Sequence, residues 1–529
     1  MAGYVLLVYG WGLWVHPMGR DYAHLAEGGG GLPFLADVIF GWEVRVFGGN
    51  PVGYHAVNIM LMYVCMVFVY FITNAIVKGL WWFGTLAACM FMANPVHAES
   101  VLNLSGVADL VPCVAGLAAL WSYVWAATRG GIFRTVVAAV LFTIAALNYT
   151  SNLGLVAVVF LYEWFLGDSG RKRWGRLAVF GALSFAAVGA SRDALRTADW
   201  HFGSMYGPLY LVFYPLGFLP ETVLGFYRYP LLGWVSAALV AGAVALIYRK
   251  ARRPAILFGL LSACALRLAP DERPIDLVHM VGGGQLLLAN ALFVVALVAV
   301  FFRIMDHPRW RTSMVGITTM IVIIFFGMQW RAIRHWHDAG KSVAEFQRRA
   351  AEKSHQMPDA TMGVLPDFQC YHGAPMFLTE SIAHATPFSR RIRAVSLLPM
   401  HAEKADAVSI EVTEWSDKGG SVQVAARRPV RPSTYFKSPS PIEAPGDAVM
   451  AHELLFSSKV EAADATVALE EITEKGFRIS IQGKARLPEV FVSAPLPGKE
   501  TGDKPKADTT RNNRQPTEDS RGDNAPTVQ

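Results

Sequence analysis

The chain reads as a mainly α, polytopic membrane protein of about 11 transmembrane helices, followed by a small mixed or β soluble domain and a disordered tail. Three observations predict this. Hydrophobic residues fill 53% of 529 positions and charged residues 17%, with the apolar content crowded into the first 330. Apolar runs near the length that crosses a bilayer recur through that region. After residue 329 the pattern turns first to helical spacing and then to short alternating runs.

The apolar spans fall at about 2–17, 55–77, 79–95, 109–127, 132–148, 152–166, 177–190, 231–248, 255–269, 285–302 and 312–329. Several are shorter than the roughly 20 residues that a spanning helix needs. The first starts at residue 2 without a small-residue cleavage site and reads as an uncleaved signal anchor. Residues 208–227 are apolar enough to span, but spanning would invert everything after them and export the basic cluster at 249–253. Pro215, Pro220 and Glu221 favour a re-entrant or interfacial segment there, with an ordinary kinked helix as the alternative.

Basic loops stay on the cytoplasmic side. A cytoplasmic N-terminus gathers Lys78, Arg129, Arg134, Arg171, Lys172, Arg173 and Arg176 inside and leaves most carboxylates, Asp21, Glu43, Glu99 and Asp109 among them, outside. The simplest setting is a multi-pass protein of a bacterial inner membrane with its C-terminal portion periplasmic.

The transmembrane domain occupies 1–329, an exported helix-and-loop segment 330–404, a small β domain 405–495 and a disordered tail 496–529. In the β domain, short alternating runs at 408–415, 421–426, 466–469, 477–481 and 490–493 read as antiparallel strands, the first two joined by Asp417-Lys418-Gly419-Gly420. The tail holds almost no apolar residue and cannot bury a core. Four of the five cysteines lie in spans and only Cys370 lies in the exported portion, so no disulfide framework is expected. The net charge of +6 follows from topology and a phospholipid-facing surface. No basic stripe interleaved with aromatics points to nucleic acid.

One string, Asn94-Pro95-Val96-His97-Ala98-Glu99-Ser100, sets a histidine and a carboxylate between two apolar stretches, where ionisable residues are functional by default. A preceding run, Asn50-Pro51-Val52-Gly53-Tyr54-His55-Ala56-Val57-Asn58, places His55 and Asn58 three apart on one helical face. These two runs, separated by an apolar span, resemble the NPxGYHxxN and HPVHxEaV signature of a glycosyltransferase family. Its members are the GT-C-fold enzymes related to the transmembrane and tetratricopeptide-repeat O-mannosyltransferases, with their bacterial relatives. Tyr210-Leu211-Val212-Phe213-Tyr214-Pro215-Leu216-Gly217 and Asp271-Glu272-Arg273 are similar to later family elements, so the resemblance covers roughly residues 1–340. Departures are a missing basic pair before Asp109, a single aspartate in the first outer loop and the absence of repeats after the membrane domain.

The resemblance implies transfer of a hexose or mannose-like sugar from a polyprenyl-phosphate donor to a protein or glycan acceptor at the outer membrane face. Asp21, just after the first span, stands where the family's catalytic base lies, with a solvated loop aspartate beside Arg20 as the alternative. Glu99 joins it as a catalytic carboxylate, and His97 and Glu99, two apart in an extended segment, would hold the acceptor, orient Asp21 or share a divalent cation. No other cofactor is called for. Capping of the following helix accounts for Glu99 alone. Arg273 would meet the lipid phosphate and Glu272 beside it belongs to the substrate-binding set, whereas Arg228, the other candidate for the phosphate, fits snorkelling better. His55 and Asn58 serve substrate or a helix-to-helix hydrogen bond. The alternative function is a catalytically degenerate relative acting as a membrane scaffold. A lipid-linked-sugar transporter would need internal repeats or charges deep in several spans, and the sequence has neither.

Overall fold

The structure, a computed structural model, describes residues 1–28 except Arg20, 32–78, 81–167 except Tyr149, 171–190, 254–268, 283–305 and 308–354, and the backbone of strands between 362 and 490. The span expected at 231–248, the segment 208–227, the turn pair Asp417-Lys418 and the tail from 496 lie outside the described residues.

Helix α1 (Ala2–Tyr9) runs into a 3-10 turn at Gly10–Trp14. Two helices that the apolar-run reading passed over follow, α2 (Asp21–Glu27) and α3 (Phe34–Phe47). In α3 the exposed Phe34, Val38, Trp42 and Val46 recur every four residues and form an apolar stripe, while Ala36, Phe40 and Glu43 are buried. Helix α4 (Pro51–Val77) starts where Asn50 accepts a hydrogen bond from the Val52 backbone N–H at 3.1 Å, with proline in the first turn. It stops at Lys78, whose φ of 51° is left-handed. Then come α5 (Trp81–Met92), a short α6 (Ala98–Leu102), α7 (Val107–Arg129), α8 (Ile132–Asn148), α9 (Leu155–Phe165), α10 (Arg171–Ala190), α11 (Pro254–Leu268), α12 (Leu287–Met305) and α13 (Pro308–Ser354).

Among the described residues four helices are long and apolar enough to cross a membrane: Pro51–Val77, Leu104–Arg129, Leu287–Met305 and Val315–Glu345. Ala2–Trp14, Trp81–Met92, Ile132–Asn148, Asn152–Phe165 and Pro254–Leu266 are apolar but shorter. The mainly helical membrane architecture is therefore present, and the count of eleven rests on the shorter helices and on residues outside the description. The boundary expected at residue 330 falls inside α13, which continues unbroken to Ser354 because the basic, amphipathic stretch after Gln329 keeps helical spacing.

Helices α7 and α8 meet through small residues. Ala138, Ala139, Ala145 and Ala146 of α8 are buried, as are Ala115, Ala119 and Ala126 of α7, whereas Ile132, Phe133, Val136, Val140 and Leu147 face outward. This is how helices pack in lipid, where close backbone approach rather than exclusion of water holds them together. At the far end of α7 a buried polar group is fully partnered. Glu163 of α9 takes 2.8 and 3.0 Å hydrogen bonds from Arg176 of α10 and a 2.8 Å bond from the Tyr123 hydroxyl of α7, which ties three helices together.

The C-terminal region contains a pair of five-stranded sheets. The first has the order β10 (Glu489–Val490), β1 (Met362–Tyr371), β3 (Arg393–His401), β6 (Val449–Met450), all parallel, with β2 (Ala374–Pro375) antiparallel to β1. The second is an antiparallel sheet ordered β4 (Val408–Ser416), β5 (Gly419–Ala426), β9 (Gly476–Gly483), β8 (Ala465–Thr473), β7 (Lys459–Ala462). The run read as an antiparallel strand at 490–493 is represented by Glu489–Val490, which instead pairs in parallel with β1 in the other sheet. Periodicity registers a strand but not its partner.

Arg176→Met would leave the buried Glu163 without its cation. Removing one partner of a buried ion pair typically costs about 3–5 kcal/mol, so the melting temperature in detergent should drop by many degrees. Adding Glu163→Leu to the same chain should recover much of the loss, and a double variant no better than the single one would contradict this account.

Candidate functional site

The connection Ala93–Gly106 between α5 and α7 departs from regular helix, yet most of it is buried, so each of its polar groups needs a partner. Asn94 begins a 3-10 turn at Pro95–His97 by accepting the Val96 N–H at 3.1 Å. Its own amide donates to Asn290 Oδ1 of α12 at 3.1 Å, and Asn290 Nδ2 donates to His97 Nε2 at 2.9 Å. The His97 ring is thereby an acceptor at Nε2 and carries its proton on Nδ1, facing the Phe91 backbone. Phe91 also packs on the ring, with centroids 4.5 Å apart. Burial pushes the His97 pKa down to about 3, against the pull of the Phe91 contact, and the neutral ring suits the acceptor role.

This arrangement corrects the expectation of an extended 94–100 string. Asn94 and Pro95 set up a turn, and residues 98–102 close into α6, so His97 points into the core while Glu99 stays half-buried in the first turn of α6. The two side chains do not share one side of a strand.

His55 and Asn58, one turn apart on α4, both reach the backbone around this connection. His55 Nε2 lies 2.9 Å from the Val15 carbonyl and Nδ1 3.4 Å from the Val101 carbonyl. Asn58 Nδ2 donates to the Asn103 carbonyl at 2.7 Å. The packing is so tight at Gly106 that a Cβ there would collide with the Ser100 carbonyl and approach Asn58 Nδ2 to 3.0 Å.

Asp21 sits at the start of α2 and is fully buried, not a solvated loop residue. Its Oδ1 accepts from the Ser105 N–H and hydroxyl, each at 3.1 Å, and Oδ2 accepts from the Met18 N–H at 3.1 Å. Leu104 joins Met18 and Ser105 as a third residue donating to this carboxylate. Burial pushes its pKa up to about 6, and the donors of Ser105, Leu104 and Met18 pull it back down, so the group is ionised at neutral pH. Helix α2 is flanked by Gly19 at φ 62° and Gly28 at φ 68°, conformations that cost other residues strain.

A second buried carboxyl lies on α3. Glu43 shares a face with Phe40 and Phe47, which pack on Tyr54 at centroid distances of 5.5 and 5.6 Å. Neither Glu43 oxygen has a hydrogen-bond partner among the described residues. Burial alone pushes its pKa up to about 8, so it is neutral at physiological pH. Glu43 and Asp21 both act electrostatically on Tyr54, which places the two carboxyls around one aromatic ring.

The structure thus gathers Asp21, His55, Asn58, His97 and Glu99 around one connection. Glu272, Arg273 and Arg228 lie outside the described residues. Asn290, Ser105 and Asp109, which accepts from Ser100 Oγ at 3.2 Å, carry the network without having been singled out as site residues. Asn290 lies in the first turn of a hydrophobic helix, and a lone polar residue there was the available signal. Among the described residues no three His, Cys, Asp or Glu side chains converge to hold a metal ion.

Comparison with known proteins places this geometry in context. No protein-family model matches the chain. It is a partial homologue of the protein O-mannosyl-transferase Tmtc1 of Drosophila melanogaster, 40% identical over 77 residues, which are 14% of this chain and 9% of that protein. Among solved structures it is similar to ArnT from Cupriavidus metallidurans bound to undecaprenyl phosphate, at 11% identity and a TM-score of 0.39 over 90% of this chain and 96% of that one. It is also similar to the Archaeoglobus fulgidus oligosaccharyltransferase in complex with Zn and sulfate, at 10% identity and a TM-score of 0.38 over 73% of this chain and 62% of that one.

Two outcomes follow from the geometry. Because the folded pKa of Glu43, about 8, lies above the ordinary value of 4.5, its protonated form is favoured by folding. Stability from this group is full below about pH 4.5, falls as pH rises and levels off above about 8, at a slope of at most about 1.4 kcal/mol per pH unit. Glu43→Gln should flatten that dependence and raise the melting temperature at pH 8, and an unchanged pH profile would exclude a neutral buried Glu43. Gly106→Ala should destabilise by about 1–3 kcal/mol or more through the Ser100 clash, read as a lower melting temperature, and wild-type stability would show the approach is looser than described.

Proposed function

We propose that the chain is a membrane glycosyltransferase that moves a hexose or mannose-like sugar from a polyprenyl-phosphate donor to a protein or glycan acceptor. The homology to an O-mannosyl-transferase carries this reading. The motif-bearing runs 50–58 and 95–101, folded against one another around Asp21, support it.

In this reading Asp21 is the base. With α2 opened, one of its carboxylate oxygens takes the proton of an acceptor hydroxyl, the acceptor oxygen bonds to the anomeric carbon, and the bond from that carbon to the phosphate oxygen breaks, releasing polyprenyl phosphate. Glu99, half-buried on α6, binds the acceptor from the neighbouring turn. His55, Asn58 and His97 act as positioning residues, since their donors and acceptors hold the backbone that presents Ser105 to Asp21. Arg273 is assigned to the lipid phosphate and Glu272 to substrate binding. The membrane is a bacterial inner membrane, the N-terminus cytoplasmic, and the region 405–495 presents the acceptor on the periplasmic side.

One observation favours a second reading, a degenerate relative serving as a membrane scaffold. Asp21 is completely buried with both oxygens hydrogen-bonded, so reaching an acceptor requires α2 to open.

The discriminating experiment uses the purified full chain and a panel of radiolabelled polyprenyl-phosphate sugars. Turnover should be lost with Asp21→Asn and strongly reduced with Glu99→Gln, while both variants still fold, as a cooperative melting transition in detergent shows. In the wild type, kcat/KM should rise with pH and reach a plateau above about 6, as the base ionises. Full activity in Asp21→Asn would remove Asp21 from the reaction, and absence of turnover with lipid-linked sugar still bound would favour the scaffold.

A further inference from the structure

A basic and aromatic cluster lies beside the Asp21 site and takes no part in it. Helix α13 passes the end of the first apolar segment at Gly340. A Cβ on that glycine would stand 3.0 Å from the His16 backbone nitrogen and 3.0 Å from Met18 Cε, so the two segments touch without an intervening side chain. Met18 in turn donates its N–H to Asp21.

At this crossing His16, His337 and Lys341 come together. Lys341 acts electrostatically on both imidazoles, and His16 acts on His337. Asp338 is the carboxylate that acts on His337 in return. The ring of Trp11 stacks on His337 with centroids 6.4 Å apart and an interplanar angle of 26°, and meets Trp330 edge-on at 6.1 Å. Trp11, Trp14 and Trp330 are exposed, at 62%, 56% and 52%.

Two physical arguments converge on one ligand. The Lys341 ammonium and the His16 and His337 rings bring N–H donors to one place, and such donors match phosphate oxygens. Exposed tryptophans at the ends of apolar helices mark the headgroup depth of a membrane, where the available anion is attached to a lipid. We propose that His16, His337 and Lys341 bind the phosphate of a membrane lipid, with Trp11 and Trp330 packing against its glycerol and upper acyl region. The site stands whether or not the chain is an enzyme.

The test takes the full chain in nanodiscs of phosphatidylcholine doped with phosphatidylglycerol and reads lipid retained on the protein by native mass spectrometry. Lys341→Gln and His337→Gln should each weaken phosphatidylglycerol retention by roughly fivefold, the scale of one basic group at a charged lipid surface, with phosphatidylcholine unchanged. Lys341→Arg should retain binding, which separates a lost charge from a disturbed helix. Arg129→Gln removes an exposed charge at the end of α7 instead and should change retention by less than about twofold. Equal loss in Arg129→Gln, or no loss in the cluster variants, would overturn the site. Release of the lipid by millimolar inorganic phosphate would overturn its assignment to a lipid-borne phosphate.

Discussion

The arrangement of the membrane domain depends on one constraint, that the buried, irregular connection Ala93–Gly106 leaves few backbone polar groups unpaired. In a helix the chain pairs its own N–H and C=O groups, but a turn buried in apolar surroundings must borrow partners, and each orphan costs about 1–3 kcal/mol. The partners come from everywhere around it. His55 and Asn58 supply donors from α4, Asn290 bridges Asn94 and His97 from α12, and Asp21 accepts from Ser105. One short segment thereby ties α2, α4, α7 and α12 to a common point.

That economy explains why the same residues read as both structural and functional. A histidine and an asparagine one turn apart on a helix could contact substrate, and in the folded chain they hold carbonyls instead. What lacks a hydrogen-bond partner around this connection, among the described residues, is smaller: both oxygens of Glu43, His97 Nδ1, and the side-chain oxygens of Asn58 and Asn103. Asp21 and Glu43 show how environment separates two similar groups. Both are buried, but Asp21 has three donors and stays ionised at neutral pH, whereas Glu43 has none among the described residues and stays protonated.

The remote end of the bundle follows the same rule with a charge in place of a carbonyl. Glu163 is buried where α7, α9 and α10 meet, and Arg176 with Tyr123 satisfies it. Between the two polar points α7 and α8 pack through alanines and expose branched and aromatic residues outward, so polar contacts set register at the ends while small-residue packing closes the middle.

The sequence by itself determined the membrane class, most helix positions in the first 330 residues and the strands near 408, 421, 466 and 477, because hydrophobic run length and local alternation are properties of neighbouring residues. It also singled out the runs 50–58 and 94–100 and the position of Asp21. Amphipathic α3 escaped because its apolar residues recur every four positions rather than in a run, and α13 ran past residue 330 because a helix does not end where its hydrophobicity does. Only the tertiary structure decided what the polar residues face. That His97 meets Asn290, 193 positions away, that Asp21 meets Ser105, 84 away, and that residues 489–490 join β1 are long-range choices, made by which buried group lacked a partner and invisible to local pattern.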